Sequence, residues 1–423
     1  SALNYANVYP AIPTNYNTCS CDLCLFEGTE VVMADSSKRK IKDIKVGDKV
    51  ASYDFSKKEY VIKPVKRVIN TGEQKVFKIK VSNKTSILAT ANHKWFVRKN
   101  KSKDVLVVTT LDLIDNLKSN EARGYNYDKF RIACAGNYVS FNDDNTSDFI
   151  TEEEAYILGI YIAEGHMYGN GIFISQYKQH VSNKIRNTLE KTDFKWKEYS
   201  NGFYVSYLFA QHDLFMSSGR GAENKRIPTE MFTQPLPILK ALRDGLMDGD
   251  GSVAKPTESN NATREFFYSC SNQLESDFRY LSFLVGKHGI TYSNIRSGFG
   301  SDRLQHTVHC HENSKSYTGF MGIDSIEEAE VVPTYDIEVE DTHAFILADS
   351  GVITHNCEDK DNTNEIYYSN KQIQGSPIDF YKQFGALSFE SLPADLGRLT
   401  KLFTVSGKFF AQTTDFTIPL EFR

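Results

Sequence analysis

The sequence predicts a multidomain fold: an all-β unit interrupted by an α+β insertion, with a foreign segment on each side. Three observations predict it. Short Val- and Ile-rich runs broken by turn residues fill the first hundred positions and return after about residue 322. Between them, from about Thr151, the apolar period becomes helical. The texture changes abruptly at Cys24 and again at Cys357.

The totals agree with this division. A chain of 423 residues is too long for one hydrophobic core, so two or three domains are expected. No apolar run reaches the ~18 residues of a membrane span. The first residues lack a basic region followed by an apolar one, so no signal peptide is expected. A net charge of −5 neither demands nor excludes nucleic acid, because a basic face can hide in a balanced total. The seven cysteines, an odd count, favour free thiols in the cytoplasm or another reducing intracellular compartment.

Residues 1–23 are rich in Asn and Tyr and form an upstream flank. The first part of the β unit is expected over 24–105. Its apolar residues Val31, Val32, Ile41, Ile44, Val46 and Val50 are punctuated at Asp35–Ser37 and Gly47–Asp48. The runs V-F-K-I-K-V and T-S-I-L-A-T continue the pattern. The insertion with its linkers is expected over 106–322. It holds a helix candidate in T-T-L-D-L-I-D-N-L-K and a capping-box pair, Thr151 and Glu154, opening another. The β texture resumes over 323–356, in Y-D-I-E-V-E and T-H-A-F-I-L, and ends in G-V-I-T-H-N. Residues 357–423 form the downstream flank.

Two helical segments inside the insertion share one pattern. Ala155, Gly159 and Ala163 recur every four residues, as do Ala241, Gly245 and Gly249. Each stripe lies on one helical face and lets a second backbone approach closely. Each is followed by one carboxylate, Glu164 or Asp250, and then by glycine. Packed together, the helices would bring both carboxylates to one end, where they repel unless a proton or a cation intervenes. Oxygen ligands suit Mg²⁺, which keeps waters and accepts phosphate oxygens. An ordinary crossing of two helices is the plainer alternative. The segments resemble the two LAGLIDADG motifs of a monomeric homing endonuclease, in register more than in letters. Lys225, in N-K-R-I-P, resembles that family's lysine between the motifs, which would stabilise phosphate charge or position water. The resemblance implies a double-stranded DNA partner, read by antiparallel sheets in the major groove. Ser175, Tyr177, Ser206, Ser269 and Ser271 are the candidate base-facing residues.

The ends of the β unit carry a second resemblance. C-L-F-E-G-T-E-V from Cys24, T-A-N-H from Thr90 to His93, and the run from Tyr335 through His355-Asn356-Cys357 resemble, in order, the sequence blocks of an intein. The implied fold is the horseshoe-like HINT splicing domain, and the implied flanks are exteins of a host protein. The implied chemistry needs no cofactor. The Cys24 thiolate attacks the Leu23 carbonyl to give a thioester. His93, with its near-neutral reference pKa, protonates the departing amine. Thr90 donates a hydrogen bond to the oxyanion or the scissile amide, and Asp336 assists. Cys357 takes over the thioester, and Asn356 then cyclises onto its own carbonyl. His355 and His343 polarise that carbonyl or protonate the leaving amine.

Joining the flanks would rebuild C-x-C-x-x-C from Cys19, Cys21 and Cys357, and a Cys21–Cys24 disulfide would block the first step. Two alternatives stay open: a cleavage-only module of the hedgehog type, which needs neither Asn356 nor Cys357, and an insertion that has lost DNA cleavage. A monomer is expected.

Overall fold

The computed structural model describes residues 23–100, 102–124, 128–142, 147–206, 212–254, 263–298, 301–311 and 319–356, with short strand pieces at 399–400 and 412–413. Expectations placed on Cys19, Cys21 and Cys357 lie outside these residues. The chain divides into one unit of 22–357 and another of 1–21 with 358–423. The first unit contains both the β unit and the insertion.

The alternating runs pair as their period requires. In chain order they form β1 (Leu25–Phe26), β2 (Glu30–Val32), β3 (Lys38–Lys40), β4 (Lys49–Asp54), β5 (Glu59–Val81), β6 (Ser86–Thr90), β7 (Lys94–Lys99) and β8 (Leu106–Thr109). Helix α1 (Thr110–Arg123) and β9 (Phe130–Ala133) come next. Thr109 closes a capping box with Asp112, and Gly124 ends α1 in the left-handed conformation.

The insertion contains a duplicated arrangement. One half runs α2 (Glu152–Glu164), β10 (Gly165–Tyr168), β11 (Gly171–Ser175), α3 (Gln179–Leu189), β12 (Trp196–Tyr199), β13 (Gly202–Ser206) and α4 (His212–Ser217). The other runs α5 (Leu236–Asp250), β14 (Gly251–Ala254), β15 (Arg264–Ser269), α6 (Asn272–Leu284), β16 (His288–Gly298) and β17 (Ser301–His311). Their sheets have matching orders, β10-β11-β13-β12 and β14-β15-β17-β16. The β unit resumes with β18 (Phe320–Val339), β19 (Ala344–Ile346) and β20 (Ile353–His355).

Strands β5 and β18 pair antiparallel from Val65/Val339 to Val81/Ile323, with four register shifts. Such bulges increase local twist, so the long ribbon bends rather than lying flat. Its ten-stranded sheet runs β19-β20-β7-β9-β18-β1-β6-β5-β4, with β8 on β7. Leu25, Ile79, Val81, Trp95, Ile132, Ile337 and Phe345 fill one dry core beneath it. The membership of β8 and β9 differs from the expected start of the insertion at residue 106. Trp95 faces Val108, Val97 faces Ile132, and Phe320 faces Ala133. The polar residues between these short strands hid two segments that belong to the sheet.

Helices α2 and α5 cross on their small-residue stripes. A Cβ on Gly159 would lie 2.3 Å from Leu242 O, and one on Gly245 would lie 2.2 Å from Tyr156 O. Helix α6 meets the β unit: Tyr280 donates to Ser36 O at 2.9 Å, and Arg279 pairs with Asp349 at 2.5 Å. Among the described residues, no helix is long and apolar enough to cross a membrane.

The crossing makes a quantitative demand. Alanine is favoured over glycine in a helix by about 1 kcal/mol, but the backbone at 2.2 Å from its methyl cannot yield cheaply. Gly245→Ala is therefore expected to destabilise the protein by about 1–3 kcal/mol, read as a lower urea midpoint at unchanged slope.

Candidate active site

Pairing brings the first junction into the sheet. Leu25 lies between Tyr335 on β18 and Ala89 on β6. Cys24, immediately before it, is fully buried. Its amide N–H donates to Thr90 Oγ1 at 2.9 Å, and its carbonyl accepts from Thr90 N at 2.9 Å. Thr90 thus holds the Leu23–Cys24 amide as an acceptor, where a donor was expected. Its hydroxyl oxygen meets an N–H, which has only a proton to offer. The Cys24 sulfur accepts from Thr71 Oγ1 at 3.0 Å.

His93 lies between the two junctions. It is fully buried, and its Nε2 is 2.6 Å from Thr354 Oγ1, on the strand that leads to Asn356. The Leu23 backbone faces the same ring as a hydrogen-bond acceptor, although Nδ1 makes no bond of good geometry. Burial pushes the His93 pKa from 6.5 down to about 3; the Leu23 backbone acts in the opposite direction. The expected near-neutral value is corrected by desolvation, which disfavours imidazolium. A neutral His93 beside Leu23 can polarise the attacked carbonyl. Once loaded with a proton it is a strong acid towards a departing amine.

The second junction is equally dry. Strand β20 pairs with β19 (Ala344↔His355) and with β7 (Thr354↔Trp95). His355 Nδ1 lies 2.5 Å from Asn356 O, the carbonyl that cyclisation would attack. Asn356 is buried, and its backbone N–H donates to His343 O at 3.0 Å. Its carboxamide is best satisfied with Nδ2 donating to His343 O at 3.0 Å and Oδ1 accepting from Val339 N, rather than with Nδ2 on Val339 O at 3.4 Å. His343 stacks on His355 with ring centroids 6.4 Å apart, and its Nδ1 is a buried nitrogen without a bond. Asp336 is fully buried, and its Oδ1 accepts from Ile337 N at 2.8 Å. Cys357 lies outside the described residues.

Sequence reasoning missed Thr354 and Thr71. Thr354 sat inside an apolar run read only as the strand delivering His355 and Asn356; its polarity among β-branched neighbours was the available signal. Thr71 carried no signal beyond a turn-like Asn-Thr-Gly.

The insertion holds a separate cleft of about 410 Å³, lined by Glu164, Asp250, Lys225, His166, Tyr268 and Gln305, among others. The α2–α5 crossing brings both half-buried carboxylates here. Burial raises the Asp250 pKa, with the charge of Glu164 adding to it, to about 7; burial also raises Glu164. Two like charges held out of water are the condition a cation relieves. Among the described residues no cluster of three or more His, Cys, Asp or Glu is placed to bind a metal. The pair fits an ion that takes one or two carboxylates and fills its shell with water and phosphate. Lys225 is buried, not a solvated surface residue. Its Nζ donates to Tyr161 O at 3.1 Å and Gly165 O at 3.0 Å, and burial lowers its pKa to about 8. Lys178, not anticipated, does the same for α5, donating to Gly249 O at 3.0 Å. Both cations oppose the negative C-terminal ends of the helices.

Two expected base-facing residues are corrected. Ser271 is fully buried and caps α6, accepting from Leu274 N and donating to Lys225 O. Ser269 is buried and receives Ser271 N. Both anchor the turn into α6; Tyr177, by contrast, is exposed.

The bent β sheet thus buries both Cys24 and Asn356, and His93 contacts the strand that leads to the second. The sequence profile described as Intein splicing domain matches residues 31–356, most of the chain. The protein belongs to the intein splicing domain family, and protein splicing is its function. It is 25% identical over 226 residues to the DNA-directed RNA polymerase subunit Rpo1C of Methanocaldococcus jannaschii, covering 48% of this chain and 25% of that protein. It is 26% identical over 161 residues to a DNA polymerase of Thermococcus litoralis, covering 36% and 9%. The chain therefore spans a quarter or less of these two curated relatives. Among solved structures, a DnaB intein from Synechocystis sp. overlaps 79% of this chain and 99% of its own at 11% identity and a TM-score of 0.29. A DnaX mini intein from Spirulina platensis overlaps 79% and 99% at 11% identity and 0.24.

Burial of His93 gives stability a pH dependence. Between pH 6.5 and about 3 the unfolded chain binds a proton at this residue that the folded chain refuses. Its contribution is therefore intact above pH 6.5 and lost as pH falls through that window. The drop in melting temperature from pH 7 to pH 4.5 is expected to be larger for the parent than for His93→Gln, measured by scanning calorimetry.

Proposed function

We propose that the chain excises residues 24–356 and ligates its flanks by three acyl transfers and a closing sulfur-to-nitrogen shift. The Cys24 thiolate attacks Leu23 and forms a thioester while the Leu23–Cys24 amide bond breaks. Thr90 restrains the scissile N–H, and His93 polarises the carbonyl and relays the proton to the amine. Cys357 then takes the acyl group from Cys24. Asn356 Nδ2 attacks its own carbonyl, held by His355 Nδ1, and the bond to Cys357 breaks; the freed Cys357 amine then takes the Leu23 acyl group from its own sulfur, which regenerates the thiol and joins the flanks by a peptide bond. Asp336 assists the first two transfers, and His343 the last. The carrying observation is the His93 ring between the Leu23 backbone and the Thr354 hydroxyl. Such proximity is worth up to about 7–11 kcal/mol of barrier. The test is a gel of Asn356→Ala precursor. No ligated flank should appear, while dithiothreitol should release the upstream flank; Cys24→Ala should release no upstream flank. Ligation in either variant would refute the scheme.

A second reading concerns the insertion. We propose that it is a LAGLIDADG-type endonuclease acting on double-stranded DNA, supported by the duplicated halves and the shared carboxylate cleft. Glu164 and Asp250 would hold Mg²⁺, which in such a site activates water and offsets phosphate charge. Lys225 would face the same phosphates from the end of α2. The natural target is the coding sequence of residues 1–23 joined directly to that of 357–423, and a monomer suffices because both halves lie in one chain. A plasmid carrying that junction should be cut with Mg²⁺ present. Asp250→Asn should lower cleavage by a factor of about 10² or more without lowering the urea midpoint at pH 7, since it removes one of two repelling buried acids. Equal cleavage by parent and variant would reject this reading.

A further inference from the structure

Thr71 stands where the long β5–β18 pairing slips. Gly72 faces Thr334 and Asn70 faces Tyr335, so Thr71 has no residue opposite it in the ladder. A bulged residue can re-aim its side chain, and Gly72, at φ +73°, supplies the left-handed backbone that completes the irregularity. The side chain so released turns to the first junction. Its hydroxyl is 3.0 Å from Cys24 Sγ and 2.8 Å from Thr334 Oγ1. Thr334 is itself fully buried. Thr334 Oγ1 also lies 3.0 Å from Gly72 O, and Thr71 Oγ1 lies 3.3 Å from Thr334 O, so each hydroxyl has a second acceptor. In the arrangement where the Thr334 hydroxyl donates to Thr71, the Thr71 proton goes to the sulfur, its shorter contact.

We infer that Thr71 is a further catalytic residue of the first acyl transfer: its hydroxyl donates a hydrogen bond to the Cys24 sulfur and stabilises the attacking thiolate. This rests on Cys24 being the attacking thiol. In the step, the S–H bond of Cys24 breaks, the bond from sulfur to the Leu23 carbonyl carbon forms, and the Leu23–Cys24 amide bond breaks. The thiol proton ends on the new amine, and Thr71 keeps its own. Cys24 is fully buried, and a hydrogen bond to its sulfur is electrostatically stronger there than it would be in bulk water.

The experiment uses the full-length Asn356→Ala precursor and follows dithiothreitol-induced release of the upstream flank from pH 6 to pH 10. Thr71→Val keeps the shape and removes the donor. It should slow release at pH 7 by about tenfold and move the rise in rate about one pH unit upward. At the top of the range its rate should meet the parent's, because the thiolate is then formed without help. Thr71→Ser should restore the parent profile. The proposal is overturned by a Thr71→Val profile that overlays the parent's, or by Thr71→Ser behaving like Thr71→Val. It is equally overturned by a slowing uniform across pH with a fall in melting temperature, which is what a packing role would give. If the parent releases nothing while Thr71 is intact, the assignment of Cys24 falls first and this inference with it.

Discussion

One buried imidazole ties the splicing unit together. His93 meets the backbone just ahead of Cys24 on one side and a strand 261 positions downstream on the other. Joining such distant segments has an entropic cost, and the extended β5–β18 ribbon meets it with cooperative sheet pairing rather than with any single contact. The same burial that holds His93 neutral keeps water from the junctions.

The insertion handles charge in the opposite way. Its carboxylates are held together in a cleft of about 410 Å³, with two lysines on the nearby helix ends. The splicing pocket holds neutral donors and acceptors, whereas the cleft concentrates negative charge that a cation would relieve. The two arrangements coexist because each sits at its own centre. The link between them is structural, through α6, whose Tyr280 and Arg279 reach the β unit.

Legibility in the sequence followed how local the determining physics was. The capping boxes of α2 and α1 sit within four residues, and the Thr151 pair was readable directly. The glycine stripes were readable because helical period and close approach depend only on spacing. Thr71 was not, since a bulge exists only relative to the partner strand. Thr354 and the lowered pKa of His93 likewise depend on what surrounds them in three dimensions. Ser269 and Ser271 misled because strand alternation assigns a side but not what covers that side. Strands β8 and β9 were lost among polar neighbours, being only four residues each.

The backbone leaves and rejoins the splicing sheet through one doorway. Cys134 N and Gly319 O are joined by a hydrogen bond of 2.9 Å, although 185 positions separate them. A passenger attached at a doorway this narrow imposes little on the geometry of its carrier. Erasing it leaves a gap that a single reverse turn can span, with almost no loop to close. Gain or loss of the passenger is then a small event for chain closure, marked by that bond, but a larger one for packing, because Val32, Ala51, Ile346 and Ile353 share a buried cluster with the insertion's helices.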